Sequence, residues 1–160
     1  MRSLIFLLAT ILMQNPQSPN SEQSVVQRGE RVMGFSHEKT THHFLLYPNG
    51  GEISIGAHDS ADKTSVDQIR MHLGHIAKMF AAGNFNAPML IHETTAPGVP
   101  TMTRLKQFIK YEYSDTEHGA RIRLITDNLQ AVDAIHAFLL FQIVDHHTGD
   151  NAAIIAAPTS

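Results

Sequence analysis

Between residues 43 and 126 the apolar positions alternate in two separate places. His43–Tyr47 (HFLLY) and Glu52–His58, with Ile53 and Ile55 on one face, flank the turn Pro48-Asn49-Gly50-Gly51. A period of two on both sides of a glycine turn predicts a β-hairpin. Leu105, Phe108 or Ile109, Tyr111 and Tyr113 alternate over 104–113, and Ile122 and Leu124 over 120–126, with a turn at 114–119. That is a second hairpin.

Each hairpin is followed by a helical period. Ile69, Leu73, Ile76, Ala77 and Phe80 share one face of a helix over about 65–82, opened by Thr64-Ser65 with Asp67-Gln68 and stopped at Gly83. A second long helix runs over 129–147 and stops at Gly149. The two helices match at an offset of 66: Val66-Asp67-x-Ile69 with Val132-Asp133-x-Ile135, Leu73 with Leu139, Ala77 with Ile143 and Gly83 with Gly149. This points to an internal duplication, repeat 1 about 42–84 and repeat 2 about 104–150. The predicted fold is α+β: duplicated ββα units forming a four-stranded antiparallel sheet with two helices packed on one face. The stretch 84–100, with three prolines and a glycine, reads as a loop joining the halves.

The second long helix is apolar nearly all round at 137–144 (AFLLFQIV), with Phe141 and Val144 far from the Ile135–Leu139–Ile143 stripe. One layer of sheet needs only one apolar stripe. Either a second copy covers the remainder, making a symmetric homodimer through this helix, or the N-terminal segment or the 84–100 loop does.

The ends read differently. Residues 1–20 have a signal-peptide pattern: Arg2, then the ten-residue apolar run Leu4–Met13, then a polar, proline-bearing flank. Ten residues make a helix of only ~15 Å, too short to span a bilayer. The expected location is secreted or periplasmic, with a cytoplasmic protein as the alternative, and no stable membrane insertion of the mature chain. Residues 21–34 read as a linker, 35–150 as a single domain and 151–160 as a tail.

Composition narrows the chemistry. The 160 residues carry a net charge of −3 with histidines neutral, so no basic excess supports nucleic-acid binding. Cysteine is absent, which excludes disulfides, thiolate metal sites and thiol nucleophiles. No glycine-rich phosphate loop, G-x-S-x-G elbow or H-E-x-x-H motif occurs. Histidine, however, occurs 11 times.

His72 and His75 stand on neighbouring turns of the first long helix, with Met79 one turn on, displaced from the core stripe. Imidazole suits zinc or copper, and a thioether shifts the balance to copper. His42 and His43 are adjacent on a strand, so one faces the helices and the other faces away. His146 falls on the core stripe of the second long helix with Gln142, where both need partners. Together they predict a transition-metal site, zinc or copper, with ligands from His42, His43, His72, His75 and His146. Alternates and supporting groups are His37, Met79, Glu38, Gln142, Asp145, His147 and Asp150. His58, His92 and His118 read as loop residues. The expected function is a metal carrier or sensor. The alternatives are an enzyme with a His-ligated Lewis-acid metal and a metal-free ligand-binding or protein-interaction module.

Overall fold

The computed structural model describes residues 19–158. The segment read as a signal therefore lies almost wholly outside the described residues. Four strands, β1 (Thr40–Tyr47), β2 (Gly50–Ala57), β3 (Lys110–Asp115) and β4 (Gly119–Ile125), form one antiparallel sheet in the order β1-β2-β4-β3. Among the described residues five α-helices accompany it: α1 (Pro19–Met33), α2 (Lys63–Ala81), α3 (Asn86–His92), α4 (Val99–Arg104) and α5 (Leu129–Asp145). The protein is mixed α+β.

The register aligns the apolar positions across the sheet. Phe44 pairs with Ile53 and Ile53 with Ile122, while His42 pairs with Ile55 and Ile55 with Ala120. All of these are buried. Because strand side chains alternate, burying Phe44 and Leu46 forces His42 inward and His43 outward. α2 lies against β3 and β4, and α5 against β1 and β2. The long helices meet through Phe80 and Phe138, whose ring centroids are 5.9 Å apart, with Phe85 wedged beside both.

Three expectations are corrected. Residues 21–34 are not a linker, because most of them belong to α1. The glutamines and serines at its start disguise an amphipathic stripe in which Gly29 and Met33 are buried, with Phe35 just beyond. Arg28 fastens this helix, its Nε donating to the Ile91 carbonyl at 2.7 Å and its guanidinium pairing with Glu93 at 3.2 Å. The 84–100 stretch is not a plain loop either. It contains α3 and the start of α4, whose prolines fall in first turns where a missing N–H costs little. Finally, 104–108 completes α4 and a 3-10 turn, so β3 begins only at Lys110.

The crossover also answers part of the second-helix question. Phe141 packs on the His92 ring, centroids 5.1 Å apart, whereas Val144 is 71% exposed. At the β1 edge of the sheet the tail joins in, with Ile154 bridging Leu46 and the Ile155 N–H donating to the Leu46 carbonyl at 2.9 Å. Asp150 anchors the same edge by accepting from the Phe44 N–H at 2.9 Å and contacting His43 Nδ1 at 2.8 Å.

Gly98 sets how closely the crossover approaches α5. It has φ +83°, and a Cβ there would stand 2.0 Å from the Ala134 carbonyl oxygen. Gly98→Ala combines backbone strain with a clash against main chain. It is expected to cost about 2 kcal/mol, read as a lower urea midpoint with an unchanged slope.

Candidate functional site

A small cavity of about 70 Å³ opens between the sheet, α2, α3 and α5, closed on one side by Met33 of α1. Its apolar lining includes Phe44, Ile55, Leu73 and Phe138. Its polar lining is His42, His72, His92, His146 and Gln142, with Phe44 against the His146 ring, centroids 5.7 Å apart. These residues come from β1, α2, α3 and α5, so only the folded chain assembles the group.

His42 is the centre of it. The residue is 6% exposed, and neither ring nitrogen has a hydrogen-bond partner. Its ring lies nearly parallel to those of His37 and His146, with centroids 5.7 Å away in each case and interplanar angles of 14° and 8°. Phe35 flanks it at 6.2 Å. Burial pushes the His42 imidazole down to about 3, and cationic forms of His146, His37 and His72 would oppose its charge further. The ring is therefore neutral at physiological pH, and a neutral imidazole has one N–H and one free lone pair. Leaving both unpaired inside a protein carries a penalty of about 1–3 kcal/mol per group.

His146 caps α5. Burial lowers its pKa to about 4, helped by His92 and opposed by Asp145. His72, from the middle of α2, is also lowered to about 4, first by burial and then by His75. Its ring meets the edge of Phe35 at 5.6 Å.

His92 is held at both nitrogens, with a side chain only 1% exposed. Nδ1 donates to the Asp145 carboxylate, and Nε2 faces the Gln142 amide at 3.1 Å. The Gln142 Nε2 group is buried and unpartnered. Turning that amide over would let it donate to His92 Nε2. His92 and His146 meet edge to face with centroids 4.9 Å apart. Among the described residues, no three histidine, aspartate or glutamate side chains stand at metal-holding geometry as placed.

The residues singled out from the sequence divide clearly. His42, His72, His146 and Gln142 line the cavity, Asp145 supports His92, and His37 stacks on His42 from outside. His43 does not belong to the group: it faces away and is tied to Asp150. His75 is exposed, one turn from His72 but turned outward, and Glu38 is exposed in the 3-10 turn before β1. Met79 packs half-buried against the core rather than on the cavity wall. His147 is exposed beside an outer groove of about 250 Å³ that also includes His37, Asp145, His146 and Met33. Met33 and His146 thus line both the cavity and the groove.

His92 and Met33 belong to the cavity, whereas the sequence pattern places them in a loop and a linker. The available signal was Ile91-His92 ending a short apolar run, and Val32-Met33 closing an amphipathic one. Elsewhere, histidines have ordinary structural partners: His136 Nε2 contacts the Tyr47 and Gly50 carbonyl oxygens, His118 that of Ala57, and His58 the Thr41 hydroxyl. No protein family, curated protein or solved structure matches the chain.

Proposed function

We propose that this protein binds one transition-metal ion, zinc or copper, in the histidine cavity, and acts as a carrier or sensor of that ion. His42, His92 and His146 are the core of the ligand set, with His72 beside them. The observation that carries this reading is His42, a neutral imidazole buried with both nitrogens idle. A metal ion is a natural partner for such a lone pair.

Ring spacing is compatible. Imidazoles bound to one ion through bonds of about 2.0–2.1 Å have centroids roughly 5–6 Å apart. The His42–His146 and His92–His146 separations are 5.7 and 4.9 Å. Closing on the ion requires the rings to turn so that their nitrogens converge. His92 also has the second partner that ligand histidines commonly have, a carboxylate on Nδ1, and its Nε2 reaches the ion only when the Gln142 amide, 3.1 Å away, swings aside. Asp145→Asn is therefore expected to weaken metal binding about 10–100-fold, measured by competition with a chelator.

A cavity of about 70 Å³ suits an ion with a water or two. Organic ligands usually occupy several hundred Å³, which favours a carrier or sensor over an enzyme acting on such a substrate. Export of the chain and pairing of two copies through α5 remain parts of the proposal that rest on the sequence pattern.

The ββα duplication is proposed as the origin of the scaffold, with both long helices over one face. The strand order β1-β2-β4-β3 and the reciprocal packing, α2 on β3 and β4 and α5 on β1 and β2, support it. An experimental structure with α2 and α5 on opposite faces would contradict it.

The test of function is a titration of metal-stripped, untagged protein with zinc and with copper, followed by calorimetry and thermal unfolding. One equivalent bound and a raised Tm are expected for at least one metal. No retained ion and no shift in Tm with either metal would overturn the reading.

A further inference from the structure

We propose that the ion this cavity selects is monovalent copper, and that the Met33 thioether is the ligand that separates it from zinc. This inference rests on the metal-binding reading and narrows it.

Charge is the first ground. Among the described residues no carboxylate lines the cavity; its polar wall is four histidines and Gln142. The neighbouring acid, Asp145, is engaged by His92. An ion held only by neutral ligands keeps its whole charge between apolar walls such as Phe44 and Ile55. The cost of moving an ion out of water scales with the square of its charge, so a divalent ion is penalised about four times as heavily as a monovalent one. Zinc sites commonly relieve that cost with thiolate or carboxylate ligands. This chain has no cysteine, and the cavity presents no carboxylate.

The donor set is the second ground. Met33 is 8% exposed and shares the cavity with the four histidines. A thioether is a soft ligand that suits Cu(I), whereas zinc takes cysteine, histidine and carboxylate. Its position is built: the Arg28 contacts to Ile91 and Glu93 dock α1 on α3, and Phe35, two residues beyond Met33, is stacked on His42. The third ground is His42 itself, more than nine-tenths buried with both ring nitrogens unpartnered.

The experiment uses the full chain, stripped of metal. Cu(I) is delivered anaerobically from a competing chelator, and zinc is titrated separately. One equivalent of Cu(I) is expected to bind at least a thousandfold more tightly than zinc. Met33→Leu, close in volume, is expected to lose at least tenfold for Cu(I) while zinc affinity changes less than twofold. Circular dichroism checks the fold of the variant, and Met33→Ile replaces it if leucine disturbs α1. Zinc binding as tightly as Cu(I), or a Cu(I) affinity that ignores both substitutions, overturns the copper assignment and leaves the metal site standing. If the unaltered protein binds neither ion, the underlying metal reading falls with it.

Discussion

His42→Leu is expected to abolish tight metal binding, yet leave the metal-free fold at least as stable as the unaltered protein. Both halves follow from one fact: the His42 ring is buried with no hydrogen-bond partner for either nitrogen. Without metal, the imidazole bears a desolvation penalty that leucine does not. Its apolar surroundings, Phe35, Phe44 and Ile55, accept a leucine with little rearrangement. At neutral pH the metal-free variant should match or exceed the parent by up to about 2 kcal/mol in urea unfolding. With metal the order reverses. A ligand at a hundred times its Kd stabilises the fold that binds it by about 2.7 kcal/mol, and the variant should gain none of this. A structural histidine gives the opposite pattern, in which the substitution destabilises the metal-free protein and metal makes no difference.

The second large effect is acid sensitivity of the metal-free protein. His42 is lowered from 6.5 to about 3, and His72 and His146 to about 4, in each case chiefly by burial. The unfolded chain therefore binds these protons near pH 6.5, whereas the folded chain refuses them until far lower pH. Their contribution to stability is complete above pH 6.5 and is lost progressively as pH falls from there toward 4. One pKa unit corresponds to about 1.4 kcal/mol, so at pH 5 the loss is about 2 kcal/mol for each ring and about 6 kcal/mol for the three together. That is a large part of the stability of an ordinary domain. Urea unfolding from pH 7.5 to 4.5 should show this steep decline, and His42→Leu should flatten it by roughly a third. A profile that is level between pH 7 and 5 would contradict the burial of these rings. Saturating metal should defer the decline, because protons and metal compete for the same nitrogens.

Some of this was legible in the sequence for simple reasons. Alternation in Glu52–His58 and Ala120–Thr126, and the 3.6-residue stripe of Ile69, Leu73, Ile76 and Phe80, are strong periodic signals. Strands β2 and β4 and helix α2 follow them within a few residues. Alternation also requires His42 and His43 to separate, and they do. What periodicity could not supply was long-range placement. His92 sits at the end of a seven-residue helix with Pro88 in its first turn, too short for a helical repeat to show, and its role depends on α3 resting against Gln142 and Asp145 of α5. Met33 was hidden by the polar start of α1. Spacing along a helix puts His72 and His75 near each other without fixing which one the core claims. His72 turned in, and His75 turned out.

X-ray absorption at the edge of the bound metal tests the central claim most directly. Protein loaded with one equivalent should show a first shell containing at least two nitrogens, with the outer-shell scattering of imidazole rings. That imidazole signal should diminish in His42→Leu and His146→Leu and persist unchanged in His75→Ala, whose side chain lies outside the cavity. An oxygen-only shell, or an imidazole signal lost with His75 and untouched by His42, would place the metal elsewhere and end this account of the cavity.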